Sequence, residues 1–176
     1  MPRPALVLVD GPSGSGKSTL ADALVRDGDP AARLPPGAQL LRLDDVYPGW
    51  DGLERASRHL ERHVLPEMRP GGHPRWRRWD WEADAPAEWH ELDPDRPLVV
   101  EGCGALTRVT AALATHRIWV EAEDDVRRAR AIARDGEPFA VEWERWDAQW
   151  RAHLAREDPR ALADVVHRTD AVAAPG

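Results

Sequence analysis

The stretch Gly11-Pro-Ser-Gly-Ser-Gly-Lys17-Ser18-Thr19 follows the apolar run Ala5-Leu-Val-Leu-Val9. It matches the pattern G-x-x-x-x-G-K-[ST] without a mismatch. The apolar run predicts a buried strand, and residues 18–25 have the apolar spacing of a helix. Strand, glycine-rich loop and helix therefore follow one another in the order that a phosphate-binding loop requires.

The residue types of this loop suit an anion. Gly11, Gly14 and Gly16 allow the backbone to curl so that successive N–H groups point into one concavity. The following helix adds the partial positive charge of its N-terminus. Lys17 can reach β- and γ-phosphates, and the Ser18 hydroxyl can bind Mg²⁺. We expect the nucleotide to be bound by Gly11, Ser13, Gly14, Ser15, Gly16, Lys17, Ser18 and Thr19.

Lys17 is the only lysine in the chain, and all other Lys/Arg positions hold arginine. A lysine side chain carries a compact ammonium on a flexible stem, whereas an arginine side chain ends in a planar guanidinium. This contrast supports a specific role for the ammonium of Lys17.

Length and charge limit the classes of function. At 176 residues the chain is expected to form one domain, residues 1–176, with a substantial core. The formal net charge of -7 argues against a nucleic-acid partner. No apolar run is long enough to span a membrane, and the single Cys103 suits a reducing compartment, so we predict a cytoplasmic protein without a membrane partner.

Further strands and helices are predicted to alternate along the chain. This alternation implies an α/β fold with a parallel sheet covered on both faces. The stretch from Arg75 to Pro94 lacks periodicity and is expected to be an irregular excursion. The predicted strands are 5–9, 39–43, 97–101, 116–120 and 163–167, and the later helices are 53–68, 123–135 and 138–157.

Acidic residues follow two of these strands. Asp44 and Asp45 come just after the second strand, where α/β sheets bind ligands, and one of them could orient or deprotonate a hydroxyl group. Adjacent residues of an extended segment face opposite ways, so at most one should enter a site. The alternative is a turn or helix cap before Tyr47. Glu101, at the tip of the third strand, could bind Mg²⁺ or its water.

Three arginines, Arg127, Arg130 and Arg134, lie at i, i+3 and i+7 and so share a helix face. Guanidinium groups suit the charge that develops during phosphoryl transfer. A solvated face paired with nearby acids is the alternative.

Tryptophan is unusually frequent, with nine residues beside one Tyr and one Phe. Trp79 and Trp81 flank Asp80 and could form a stacking wall for a flat ring, with the acid pointing away. Packing alone is equally compatible with this pattern. The other group, Trp143, Trp146 and Trp150, recurs at helical spacing and predicts core or lid packing.

With these features in place, the chain resembles the uridine kinase-like nucleoside kinases. Asp44-Asp-Val-Tyr47 resembles the D-x-[aromatic or apolar]-Y of that family, and residues 75–81 resemble its P-x-Y-D-F stretch. The spacing of the arginines from Arg127 to Asp135 resembles the lid of the family. The matches run from Leu6 to about Asp135.

The resemblance implies a three-layer α/β/α fold with a five-stranded parallel sheet of order 2-3-1-4-5 and a helical lid at about 127–157. It implies that Asp44 is the base for the acceptor hydroxyl, and that Arg130 and Arg134 stabilise the transition state. The acceptor-binding residues that it implies are Asp44, Tyr47, Asp51, Trp79, Asp80, Trp81 and Arg127. The chain departs from the family where tryptophans replace Tyr and Phe, and only Asp51 could stand for the acidic residues that hold the ribose diol.

The sequence thus predicts a kinase that uses ATP and Mg²⁺ to phosphorylate a small hydroxylated acceptor, with a nucleoside as the leading candidate. Alternatives are a kinase for another metabolite or an antibiotic hydroxyl, and a nucleotide-switched binding module.

Overall fold

A computed structural model describes residues 3–170 of the chain. Its main sheet has five parallel strands: β1 (Leu6–Asp10), β2 (Gln39–Arg42), β5 (Leu98–Glu101), β6 (His116–Glu121) and β7 (Val165–Arg168). They lie in the order β2-β5-β1-β6-β7. Counted along the chain without the two strands of a separate hairpin, β3 and β4, this order is 2-3-1-4-5, as predicted.

Helices cover both faces of the sheet. On one face, α1 (Lys17–Asp27) packs with Val7, Val9 and Val99. The opposite face carries the larger core, which includes Leu8, Leu41 and three tryptophans of the lid. The three-layer fold is therefore confirmed. The helices of this second layer are α2 (Leu53–His59), α3 (Arg108–Leu113), α4 (Asp124–Glu157) and the short α5 (Pro159–Leu162).

The segment predicted as a helix over residues 53–68 changes its winding. After α2, residues Leu60–Val64 form a π-helical stretch and Leu65–Glu67 form a 3₁₀ turn. The helical spacing of Leu60, Val64 and Leu65 still buries them in the core.

The predicted irregular excursion is wrong. Residues Arg75–Asp80 (β3) and Ala85–Glu91 (β4) form an antiparallel hairpin with a bulge between Arg77 and Trp79. Trp76 is stacked on His90 across the hairpin, with ring centroids 4.4 Å apart. The bulge and the high content of Arg and Trp break the strict alternation that identifies a strand in sequence.

The lid is formed by α4, which is broken at Gly136. Gly136 has φ 74° and ψ -160°, outside the helical region, and Pro138 begins the second half of the lid. The predicted boundary between helices 123–135 and 138–157 is confirmed. The two halves fold against each other, and Arg127 of the first half contacts Asp147 and Trp143 of the second.

Within residues 3–170, none of the helices combines the length and apolar character needed to cross a lipid bilayer.

Candidate active site

The glycine-rich loop connects β1 to α1 as predicted. Gly14 has φ 77° and Gly16 has φ 94°, and a Cβ on Gly14 would lie 1.8 Å from the Arg127 carbonyl oxygen. Glycine is therefore required there by both backbone conformation and space. The Ser15 N–H donates to the Pro12 carbonyl, while the buried Ser15 hydroxyl has no hydrogen-bond partner among the described residues. An oxyanion bound in the loop would supply a hydrogen-bond partner for the Ser15 hydroxyl.

Lys17 is buried at the start of α1, with 5% of its surface exposed. Its ammonium makes one long contact, 3.4 Å to the Pro12 carbonyl oxygen. Burial acts to lower the pKa of Lys17, but the negative charges around it, including Glu101 and Asp44, raise that pKa above its usual value. The ammonium thus stays charged although it is buried, and it can donate further hydrogen bonds.

Glu101 lies at the end of β5, next to the end of β2. Its carboxylate is 2% exposed and accepts a hydrogen bond of 3.2 Å from Arg42. Burial raises the pKa of Glu101, and the charge of Lys17, the hydroxyl of Ser18 and the charge of Arg42 oppose that rise. Hydroxyl and carboxylate oxygens are ligands that Mg²⁺ accepts, so Ser18 and Glu101 together fit this ion.

Asp10 is a site residue that was not predicted from the sequence. It is fully buried at the end of β1. Oδ1 accepts from the N–H groups of Gly11 (2.7 Å) and Gly104 (3.1 Å), and Oδ2 accepts from Leu106 (2.8 Å). The carboxylate thus joins the phosphate loop to the loop after β5. The signal in the sequence was an acid at the end of a wholly apolar strand.

A cavity of about 330 Å³ opens beside the phosphate loop and under the lid. Polar side chains line the end next to the loop, and aromatic side chains line the rest. Because both halves of the lid contribute, the break at Gly136 lies over the cavity. Its walls are formed by Ser13, Lys17, Asp44, Tyr47, Trp50, Trp81, Arg134, Asp135, Pro138, Phe139 and Trp146.

The two adjacent acids after β2 occupy different surroundings. They lie in a 3₁₀ turn, Leu43–Asp45, which ends the strand. Asp44 lines the cavity together with Lys17, and its carbonyl accepts a hydrogen bond of 2.8 Å from the Trp81 indole. Asp45 is not among the cavity residues. Burial and the charge of Asp44 raise the pKa of Asp45.

The hairpin does not form a stacking wall from Trp79 and Trp81, which was one of the two alternatives for this pair. Trp81 lines the cavity, whereas Trp79 lines a separate cavity between the hairpin and α2. The bulge after Arg77 and the turn that begins at Trp81 break the extended geometry in which residues i and i+2 share a face. Asp80 instead accepts from the Glu82 and Ala83 N–H groups and shapes the turn.

Tyr47 and Asp51 lie on the loop after β2. Tyr47 is buried, lines the cavity and donates a hydrogen bond of 2.9 Å to the Cys103 carbonyl. Asp51 is exposed, is absent from the cavity wall and pairs with Arg145 of the lid. The residue expected to hold a diol therefore binds the lid to this loop.

The three lid arginines reach three different places. Arg127 is buried between Asp124 and Asp147, with its guanidinium 5.4 Å from the Trp143 ring centroid. Arg130 donates to the hydroxyl and the carbonyl of Thr169, and Thr169 in turn donates to the Ser15 carbonyl.

Arg134 alone of the three lines the cavity, where it is paired with Asp135. Two lid residues of the cavity, Asp135 and Pro138, were not predicted as site residues, and neither were the aromatic residues Trp50, Phe139 and Trp146. Their rings are in contact: the centroid of Trp50 lies 5.6 Å from that of Phe139 and 6.4 Å from that of Trp146. Helical spacing marked Trp146 as buried, but no local pattern marked Trp50 or Phe139.

No protein-family model matches this chain, and no curated protein matches its sequence. Solved structures do match in fold. A possible uridine kinase from Bacillus stearothermophilus superposes with a TM-score of 0.64 at 16% identity, over 95% of this chain and 90% of that one. A protein from Silicibacter sp. TM1040, provisionally identified as a fructose transport system kinase, gives 0.54 at 22% identity, over 94% and 90%.

Phosphoribulokinase from Rhodobacter spheroides gives a TM-score of 0.50 at 21% identity, over 76% of this chain and 56% of that one. At identities this low the likeness concerns the fold. It agrees with the loop sequence, the strand order and the lid. The chain therefore has the fold of the uridine kinase-like phosphate-loop kinases.

Proposed function

We propose that this protein is a kinase that uses ATP and Mg²⁺ to phosphorylate a hydroxyl group of a small acceptor, with a nucleoside as the leading candidate. One observation carries the proposal. The ammonium-bearing Lys17 of the phosphate loop and the carboxylate-bearing Asp44 line the same cavity, and residues of the lid form part of its wall.

The triphosphate would lie in the loop, where the Ser15 hydroxyl and the Lys17 ammonium have unused hydrogen-bonding capacity. Ser18 and Glu101 would hold Mg²⁺ directly or through water. When bound, the ion neutralises charge on the β- and γ-phosphate oxygens. Lys17 adds a fixed positive charge at the same place, and Arg134, which is paired with Asp135, lines the same cavity from the lid.

The acceptor would lie in the cavity with its hydroxyl beside Asp44. In the transfer, the acceptor oxygen bonds to the γ-phosphorus while the bond between that phosphorus and the β–γ bridging oxygen breaks. ADP leaves with the electron pair of the broken bond, and the hydroxyl proton passes to Asp44. Positioning and charge stabilisation supply most of the catalysis in reactions of this kind.

Aromatic walls support a flat ring in the acceptor, because rings stack on rings. The possible uridine kinase that shares the fold is in line with this choice. A cavity of about 330 Å³ is at the lower end of the size range of small-molecule sites.

The test measures ADP formation with Mg²⁺ and ATP, with and without each of a panel of nucleosides. We expect at least one nucleoside to raise the rate well above that of ATP hydrolysis alone. Asp44→Asn should lower the acceptor-stimulated kcat by about 100-fold or more, with the Kd for ATP little changed. Asp45→Asn is the matched control, because the carboxylate of Asp45 is next to Asp44 in the chain but lies outside the cavity wall. This variant should keep most of the activity.

Slow hydrolysis that no acceptor stimulates would contradict the proposal and favour a nucleotide-switched module. If Asp44→Asn weakened ATP binding as much as it lowered turnover, Asp44 would belong to the metal site and not to the acceptor.

A further inference from the structure

The polar and apolar walls of the cavity are separated. Ser13, Lys17 and Asp44 lie at the end formed by the phosphate loop and β2, and Arg134 and Asp135 lie on the first half of the lid. The remaining wall is formed by the apolar or aromatic side chains of Tyr47, Trp50, Trp81, Pro138, Phe139 and Trp146.

The rings of this wall support one another. Trp50 is at the centre, with its ring centroid 5.0 Å from that of Trp81 and 5.6 Å from that of Phe139. Tyr47 and Trp146 make an edge contact at 4.8 Å. Such packing fixes the rings before a ligand arrives, which lowers the cost of ordering them on binding.

Most polar atoms around this wall already have partners. The Trp81 indole donates to the Asp44 carbonyl, and the Tyr47 hydroxyl donates to the Cys103 carbonyl. Asp135 receives two hydrogen bonds from Arg134, at 2.7 and 2.6 Å. Among the lining residues, Asp44 is therefore the carboxylate that can accept a hydrogen bond from an acceptor hydroxyl.

A vicinal diol held by carboxylates would need a second such group. Asp51 is committed to Arg145 on the outer surface, and the same lid segment is attached to this loop by a hydrogen bond from Gln149 to the Trp50 carbonyl. Moving Asp51 into the cavity would break its ion pair with Arg145.

We propose that the acceptor is recognised by one hydroxyl group and by a flat ring stacked on the wall around Trp50, and that a ribose diol is not recognised. This inference rests on the proposed kinase activity. It assigns the substrate class as a ring compound that carries an alcohol group, with or without a 2′-hydroxyl.

The ratio of kcat/KM for acceptors with and without a given hydroxyl measures whether that hydroxyl is bound. A site built to hydrogen-bond a hydroxyl rejects an analogue without it by about 10⁴- to 10⁵-fold in kcat/KM. For a hydroxyl that is not bound, we expect the ratio for uridine over 2′-deoxyuridine, and for cytidine over 2′-deoxycytidine, to be within about threefold of one. Ribose and glycerol, which have hydroxyls and no aromatic ring, should give no stimulation of ADP formation.

The variants Trp81→Ala and Trp89→Ala form a matched pair. Both residues belong to the hairpin segment, but Trp81 lines the cavity, whereas Trp89 is 52% exposed and lies outside it. We expect Trp81→Ala to raise KM for ring acceptors by about 2- to 12-fold, in line with the loss of one stacking contact, while Trp89→Ala leaves KM unchanged.

A ribonucleoside preference above about 100-fold, equal effects of the two tryptophan variants, or turnover of ribose as fast as of uridine would each overturn this inference while leaving the kinase proposal intact. Absence of stimulation by every acceptor would overturn both.

Discussion

At the scale of single residues, Asp10 is the most heavily connected side chain of the site. Its two oxygens accept three backbone N–H groups from the phosphate loop and from the loop after β5. The nearest ionisable group from the lid is His153, whose Nε2 lies 3.9 Å from Oδ2. Burial raises the pKa of Asp10 to about 7 although the three donors favour the ionised form. Burial also lowers the pKa of His153, to about 4.

These pKa changes predict a pH dependence for Asp10. Because its pKa is higher in the folded than in the unfolded chain, its contribution to stability is complete below about 3.8 and is lost as the pH rises through about 7. We expect the free energy of unfolding of the wild type, relative to Asp10→Asn, to fall by up to about 1 kcal/mol per pH unit between pH 5 and 7. Denaturant titrations at pH 5, 6, 7 and 8 measure the difference.

The control is Glu82→Gln, which removes an exposed carboxylate in the hairpin turn. The difference in the free energy of unfolding between Glu82→Gln and the wild type should not vary between about pH 5 and 8. A constant difference for Asp10→Asn as well would mean that Asp10 is ionised throughout, held so by its three donors.

At the scale of elements, the lid depends on one residue between its two halves. Gly136 combines φ 74° with ψ -160°, a region open in practice to glycine alone. Arg134 and Phe139, on either side of this break, both line the cavity. The conformation of Gly136 therefore sets the distance between a charged wall and an aromatic wall.

We expect Gly136→Ala to cost about 1–3 kcal/mol in stability, because any other residue is strained in this conformation. A Cβ at this position would meet Pro138 at 3.8 Å, an ordinary contact, so the strain would come from the backbone and not from a clash. The same change should raise KM for the acceptor more than KM for ATP. Thermal unfolding and steady-state kinetics with each substrate varied in turn check the two effects, and wild-type values in both would contradict this account of the lid.

The elements differ in how far the sequence could predict them. Strands β1, β2, β5, β6 and β7 could be found because continuous or near-continuous apolar runs and flanking Gly, Pro or acidic residues mark their limits. Gly136 and Pro138 likewise marked the break in the lid. The hairpin could not be found, because its pairing across a bulge depends on a partner strand, and only the folded chain shows that Trp79 and Trp81 point to different cavities.

At the scale of the whole molecule, the candidate site draws on parts of the chain that are distant in sequence. Lys17 and Asp44 come from the N-terminal third, and both belong to motifs visible in the sequence. Phe139 and Trp146 come from the lid, and their place in the cavity depends on how the lid packs over the loop after β2. Local sequence patterns could therefore predict the polar half of the cavity, whereas the aromatic half follows from tertiary packing.

Because the site joins these parts, binding of a nucleotide should stabilise the fold as a unit. At a free ligand concentration of 100 times Kd the gain is about 2.7 kcal/mol, which corresponds to a rise in Tm of about 5–10 °C for a domain of this size. We expect MgADP to produce such a rise and AMP to produce a much smaller one, since the loop and Lys17 are placed for the phosphates beyond the first.

Lys17→Arg tests the origin of this stabilisation. The variant keeps the charge but replaces the compact ammonium by a planar guanidinium. We expect it to unfold within a few degrees of the wild type without ligand, to show less than half of the shift with MgADP, and to lose about 100-fold or more of kcat. Differential scanning fluorimetry with ADP, AMP and Mg²⁺ alone separates these effects. An unchanged MgADP shift together with wild-type turnover would show that the single lysine of the chain does not contact the nucleotide, and equal shifts with AMP and ADP would place the ligand outside the phosphate loop.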